Sequence, residues 1–333
     1  MTSIVRKGKE NRELTHTNHK CVGCGICVDI CPTESLKLGP VLPIRRGILE
    51  MDFINMQKDK CVLCGLCSFA CPADALDLKI DNESVKENPN YPKREYGSEI
   101  KEEDCIYCGN CKKACPREAI YLSRELPDVK DLVIGETDIY RDKCIYCGVC
   151  EEMCPADAIT INRNNINSSK PFIADNIEID EDKCIYCGIC KKACPEEAIK
   201  IVCTTCMDNE KIPEVEITGS ILLDEDICIN CGWCEEICSF DAAKVTKPFE
   251  GEMIRNPEIE CKGDSCHACQ DVCPCNAVSI IDNTSVINPA MCMLCGACAK
   301  ACPQDILSAK RTEMKLKNIR SNSWQKILGS LIE

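Results

Sequence analysis

Residues 184–195 read CIYCGICKKACP. Four cysteines, Cys184, Cys187, Cys190 and Cys194, stand at gaps of two, two and three residues, with Gly188 after the second and Pro195 after the fourth. The same run opens at Cys21, Cys61, Cys105, Cys144, Cys228 and Cys292. An eighth copy at Cys261 has four residues in its first gap. These eight quartets take up all but Cys203, Cys206 and Cys275 of the 35 cysteines in 333 residues. The flanks repeat too. Alternating stretches such as IEIDEDKC precede quartets, and PADALDL, PREAIYL, PADAITI or PEEAIKI follow them. Alternation over four to six residues predicts short strands, so each repeat reads as strand, cysteine loop, one helical turn, strand.

Cysteine at this density in a short exported chain would suggest a disulfide scaffold. The opening MTSIVRKGKENRELTHT has neither an apolar core nor a small-residue cleavage site, so it does not read as a leader. Quartets are what metal sites require. Together these point to reduced thiols in a cytoplasmic protein. No run of about 18 apolar residues exists, so no membrane span is expected. Aromatic residues make up 4% of the chain, too little for one large core. The formal charge is −14. Iron–sulfur clusters held by four thiolates would take the loaded protein to roughly −30. Such a body repels nucleic acid and anionic lipid and suits partners with basic docking patches. Acidity that only keeps the protein soluble fits the count as well.

The spacing has a geometric reading. A cubane has four iron corners. Two-residue gaps let one tight loop deliver three thiolates to three of them. The three-residue gap spans a helical turn and sends the fourth sulfur to a neighbouring cluster, as in the bacterial ferredoxin run. Quartets therefore work in pairs. Zinc ribbons share the C-x₂-C element, but not three cysteines at successive two-residue gaps with a fourth before Pro. The expected ligands of eight [4Fe–4S] clusters are Cys21, Cys24, Cys27 and Cys31; Cys61, Cys64, Cys67 and Cys71; Cys105, Cys108, Cys111 and Cys115; Cys144, Cys147, Cys150 and Cys154; Cys184, Cys187, Cys190 and Cys194; Cys228, Cys231, Cys234 and Cys238; Cys261, Cys266, Cys269 and Cys273; and Cys292, Cys295, Cys298 and Cys302. Separations from one quartet to the next of 30, 34, 29, 30, 34, 23 and 19 show no short–long alternation. Sequential pairing is the expectation, with Cys71 completing the first site and Cys31 the second. A nested scheme, one pair inserted within another, stays open.

The expected fold class is α+β, four tandem two-cluster ferredoxin-like domains at 1–100, 101–176, 177–252 and 253–310, followed by an amphipathic helix or docking tail at 311–333. In that tail Trp324, Ile327, Leu328 and Leu331 fall at helical spacing. It packs on its own last unit or docks a partner. Segments 39–56 and 83–101 read as surface loops or linkers.

Gly follows the second cysteine in seven quartets and permits φ > 0 beside the cluster. His267 stands there in the eighth, either hydrogen-bonded to a sulfide or as an exposed loop residue. Pro follows the fourth cysteine in seven; Ser239 replaces it after Cys238 and predicts a wetter site. Cys203 and Cys206 read as free thiols, a redox pair or half of a shared site, and Cys275 as a buried filler. Lys112–Lys113 and Lys191–Lys192 oppose Glu151–Glu152 and Glu235–Glu236 in sign. They read as contacts between units, docking marks or solvated faces.

No phosphate loop, dinucleotide fingerprint or nucleophile–base grouping is recognisable. The function expected is one-electron transfer along a file of clusters, at the low potential of all-thiolate ligation. Eight such quartets at this length resemble the methanogen polyferredoxins, most nearly the F subunits of formylmethanofuran dehydrogenases. The resemblance covers residues 21 to 303. It implies a non-catalytic subunit of a large redox complex. Such a subunit delivers electrons to a tungsten or molybdenum enzyme that reduces CO₂, fed by a heterodisulfide reductase or hydrogenase assembly or by a small ferredoxin. The long loop after Cys261 and Ser239 depart from the pattern. A polyferredoxin serving a hydrogenase, or a free electron reservoir, are the alternative readings.

Overall fold

The computed structural model describes residues 2–126, 135–162, 176–203 and 217–332. The chain divides into two compact units. One comprises Met1–Ser98, Glu225–Gly232 and Val245–Glu333, the other Glu99–Asp224 and Trp233–Lys244.

The local units follow from sequence. Ile159–Asn162 alternates buried Ile159 and Ile161 with exposed Thr160 and Asn162, as a half-buried strand must. After the second cysteine of each quartet the backbone turns left-handed and a four- or five-residue helix begins, for example Ile26–Asp29 after Gly25 and Ile189–Lys192 after Gly188.

In the first unit, two quartets make a module. Arg12–His16 pairs antiparallel with Leu76–Ile80, and Leu36–Leu38 with Ile54–Met56. The helices Ile26–Asp29 and Leu66–Ala70 pack together inside this frame. The last module repeats the plan. Phe249–Arg255 pairs with Leu307–Met314, and Val278–Ile281 with Thr284–Ile287 through a two-residue turn at Asp282 and Asn283, both at positive φ. A bulge between Glu250 and Gly251 bends the long pair. Gly251 is obligatory there, because a Cβ would strike the Lys310 carbonyl.

The second unit overturns sequential pairing. Ile120–Glu125, after the third quartet, pairs with Thr218–Leu223, before the sixth. The helix Asn110–Ala114 of the third quartet packs on Trp233–Glu236 of the sixth. Between them sits a complete second module. Gly135–Ile139 pairs with Ile199–Cys203, Ile159–Asn162 with Asn176–Ile179, and the helices of the fourth and fifth quartets pack together. Boundaries at 101–176 and 177–252 therefore cut across the real pairing, because an inner module (quartets four and five) interrupts an outer one (three and six). The insertion is cheap for a physical reason. The host's strand ends, Glu125 and Thr218, are direct partners, and so are the insert's ends, Gly135 and Cys203. A domain whose termini adjoin fits into a hairpin with little cost in chain entropy. Val149, Met153, Ile189 and Ala193 of the inner module form one buried cluster, with Ile106, Ile217 and Phe240 of the outer module against it.

The C-terminal segment also departs from expectation. The closing strand of the last module runs to Met314, past the boundary at 310. Leu316–Lys317 then pairs with Lys93–Arg94. Helix Asn322–Gly329, capped by the Ser321 hydroxyl, sets Trp324 5.7 Å from Phe69 and 6.1 Å from Tyr91, ring centre to ring centre. It thus packs on the first module rather than the last. Nor are the two supposed loops bare connections. Residues 83–101 supply Tyr91 and the strand at Lys93. Residues 39–56 supply helix Val41–Arg45, whose neighbour Arg46 donates to Asp271 Oδ2 (2.8 Å) and Cys266 O (3.0 Å) of the last module.

Candidate cluster sites

Three backbone positions in each repeat shape the sulfur sites. The residue after the second cysteine is left-handed in all eight, at φ 78° to 97° for the glycines and 54° for His267. His267 directs Nδ1 to Gln270 Oε1 at 3.2 Å, so it makes no bond to a cluster ligand by that nitrogen. Sequence reasoning missed the other two positions. The residue two after the first cysteine is also left-handed, including Leu63, Tyr107, Tyr146, Tyr186, Asn230 and Leu294. So is the residue three after the fourth: Glu34, Asp74, Glu118, Asp157, Glu197, Asp241, Asn276 and Asp305. Each costs about 1 kcal/mol for a residue with a side chain. The signal was there in the recurrent acidic or amide residue, since Asp and Asn tolerate this conformation. The conformation turns N–H groups onto sulfur. Residue i+2 donates to the first cysteine, as in Tyr107 to Cys105 (3.3 Å) and Leu294 to Cys292 (3.4 Å). Residue i+4 donates to the fourth, as in Ala75 to Cys71, Ala158 to Cys154, Ala198 to Cys194 and Ala277 to Cys273, all at 3.2 Å. Such anion-binding concavities suit sulfur that carries negative charge.

In seven of the eight sites the thiols converge in fours whose last member comes from another quartet. Cys24 and Cys27 adjoin Cys21 and Cys71; Cys64 and Cys67 adjoin Cys61 and Cys31. Cys105, Cys108 and Cys111 meet Cys238 of the sixth quartet. Cys144, Cys147, Cys150 and Cys194 line one small cavity, and Cys154, Cys184, Cys187 and Cys190 another, each of about 20 Å³. Cys261, Cys266, Cys269 and Cys302 line a third, also of about 20 Å³, so the lengthened loop after Cys261 still delivers its sulfurs to one void. Cys292, Cys295 and Cys298 adjoin Cys273. In the sixth quartet Cys231 and Cys234 are buried, and Cys228 accepts from Asn230 N–H at 3.5 Å. Cys115 accepts from Ala119 N–H at 3.3 Å.

These sites fit a polynuclear group better than a single ion. Three independent cavities share one size. Among the described residues, no three His, Cys, Asp or Glu side chains close on one point as a lone ion would need. Four sulfurs around a void match a cubane with a thiolate at each corner. Burial and the neighbouring thiols push the free thiols up, Cys108 to about 11 and Cys111 and Cys190 to about 12. The folded site therefore resists four thiolates unless cationic iron joins them.

The odd residues find places. Ser239, in the outer module, reaches across and donates its hydroxyl to Cys147 of the inner one. The missing Pro thus supplies a hydrogen bond to sulfur. Cys275 is 2% exposed and more than a filler. Its thiol lies within hydrogen-bond reach of Cys231 and Cys273, and the bond to Cys273 holds that sulfur below the ordinary thiol value. Cys203 ends a strand opposite Gly135, while Cys206 lies outside the described residues. Of the oppositely charged pairs, Lys113 and Glu152 meet at 2.6 Å between outer and inner modules.

Proximity of sites does not follow chain order. In the first unit Cys67 adjoins Cys27, Cys24 adjoins Cys295, and Cys298 adjoins Cys269. This makes a file through quartets two, one, eight and seven. In the second, Cys108 adjoins Cys147 and Cys150 adjoins Cys190, joining quartets three, four and five.

Known families match the cysteine quartets. The 4Fe-4S dicluster domain matches at residues 20–75, 60–119 and 143–198, and a second dicluster family at 97–155. A single 4Fe-4S binding domain matches at 221–244 and 285–308. The matches at 60–119 and 97–155 join quartets that are consecutive in sequence but not paired in space. Polyferredoxin protein FwdF of Methanocaldococcus jannaschii is 49% identical over 135 residues, 40% of this chain. The chain spans only 38% of that relative's length in the match. A chain of the formate dehydrogenase–heterodisulfide reductase–formylmethanofuran dehydrogenase complex of Methanospirillum hungatei superposes with a TM-score of 0.60 at 26% identity. That match takes in 99% of this chain and 88% of the other. Among the described residues no helix is long and apolar enough to cross a membrane. 4Fe-4S dicluster and 4Fe-4S binding domains thus recur along the chain, which resembles the polyferredoxins.

Proposed function

We propose that the protein is the electron-transfer subunit of a formylmethanofuran dehydrogenase complex, carrying electrons one at a time along eight [4Fe–4S] clusters toward CO₂ reduction. The ligands are the 32 cysteines of the quartets, with fourth thiols exchanged within four modules. The observation that carries this reading is the file of adjoining sulfur sites through quartets two, one, eight and seven and through three, four and five. Within each file the thiols of neighbouring sites feel one another's charge, so electrons hop between them without diffusing carriers. Thiolate-only ligation keeps the potentials low, as a reductant of CO₂ needs. The likeness to FwdF and to a chain of the dehydrogenase complex supports the partner. Partner subunits would meet an acidic body of formal charge −14 before cluster charge is added.

The test is reconstitution. Anaerobically loaded chain, mixed with catalytic subunits of a formylmethanofuran dehydrogenase and a low-potential donor, is expected to make CO₂ reduction depend on its concentration. Activity indifferent to the chain, with all clusters present, would contradict the assignment.

A further inference from the structure

Arg311 lies on the closing strand Leu307–Met314 and is 9% exposed. Few arginines sit so deep without a carboxylate partner. Its Nε donates to Leu294 O at 2.8 Å and its Nη2 to Cys295 O at 3.1 Å, both in the cysteine loop of the eighth quartet. The guanidinium lies 4.9 Å over the Phe249 ring centre. Gly296 makes room for it: a Cβ there would stand 3.2 Å from Nη2. Other loops have a related cap. Arg124 donates to Tyr107 O (3.3 Å) and Cys108 O (2.7 Å), and Arg12 to Leu63 O (3.3 Å). Arg311 differs in what it faces. Its charge acts on Cys24 of the first quartet and on Cys295 and Cys292 of the eighth, with Asp29 as the nearby carboxylate. Cys24 and Cys295 in turn adjoin each other. Asp29 is exposed and held by Lys300 at 2.9 Å.

We propose that Arg311 is a positioning cation shared by the clusters of the first and eighth quartets, raising the reduction potential of both where the first and last modules adjoin. The argument is electrostatic. When either cluster takes up one electron from a reduced neighbour, its charge falls by one and the donor's rises by one. A fixed positive charge beside the acceptor favours that step, and burial keeps solvent from screening it. Arginine suits the role because it stays charged at all working pH values and its planar fork is held by carbonyls rather than neutralised by a carboxylate. One cation between two sites tunes them together. An electron then rests on this pair, between the two modules of the file.

The proposal rests on reading these thiols as cluster ligands, and the experiment separates the two. The full chain is reconstituted anaerobically, its iron counted, and its midpoints measured by redox titration followed by electron paramagnetic resonance. Arg311→Gln is expected to lower two midpoints, each by roughly a tenfold change in the equilibrium constant, 59 mV for one electron. The remaining midpoints stay in place. Arg311→Lys, which keeps the charge, is expected to restore most of the loss. Asp29→Asn, on the surface, is expected to raise the same two midpoints. Full iron with unmoved midpoints in Arg311→Gln overturns the proposal. If that variant loses iron, unmoved midpoints in Asp29→Asn overturn it instead. A wild-type chain that takes up no iron fails the ligand reading, not this one.

Discussion

Replacing Cys238 with Ser is expected to open Cys105, Cys108 and Cys111 to alkylation, while Cys184, Cys187 and Cys190 stay protected. Sequential pairing would give the reverse, since it hands the sixth quartet's last thiol to the fifth. In the structure Cys238 adjoins Cys105, Cys108 and Cys111. The fifth quartet is completed by Cys154 instead, which lines one cavity with Cys184, Cys187 and Cys190. A serine oxygen is a poor substitute for thiolate on iron. Loss of a cluster should cost about four irons per chain. Anaerobic labelling with iodoacetamide followed by peptide mass mapping reads the pattern directly. Labelling at Cys184, Cys187 and Cys190 with Cys105 protected would refute the nested arrangement.

Removing iron with a chelator is expected to abolish the fold, reducing native circular dichroism to that of an unfolded chain with no cooperative melt. Each module spans some tens of residues, and its apolar core is a handful of side chains. In the inner module these are Ile159, Ile161, Ile177, Ile199 and Ile201, with Cys150 and Cys190 among them. The ligands are thus part of the core, and Cys154, Cys184, Cys187 and Cys190 line the cavity at its centre. So small an apolar core supplies little of the net stability of about 5–15 kcal/mol of a typical domain without the cluster. Without iron the buried thiols stay protonated, as burial pushes Cys111 and Cys190 up to about 12, so no charge-assisted bond replaces the ligation. The first module has one further support, the Phe69–Tyr91–Trp324 aromatic group, and should be the last to lose structure. An apo-protein that melts cooperatively would contradict the view that the clusters are the core.

How much of this was legible in the sequence follows the range of each interaction. The quartets, their short helices and the left-handed glycines are local, and CIYCGICKKACP contains all three. The exchange of fourth thiols was also readable, because a helical turn after Cys190 points Cys194 away from its own loop. Which quartet receives it was not. The outer and inner modules obey identical local rules, and the hairpin from Glu125 to Thr218 tolerates an insert without marking its flanks. The same limit explains the family matches that bridge unpaired neighbours. Ser239 looked like a lost proline; its partner, Cys147, lies in another module. Trp324 showed helical spacing but not its target, Phe69, since nothing in either segment encodes contact across most of the chain. Arg311 is one basic residue among 40, and only its burial beside two sites singles it out.

The most direct test of the account is a reductive titration of anaerobically reconstituted chain with a one-electron donor, with iron and sulfide counted on the same sample. Eight clusters predict about 32 irons per chain and reversible uptake of about eight electrons, one per cubane. Uptake of about four or fewer electrons at full iron content, or clusters that bleach and do not recover on reoxidation, would contradict it.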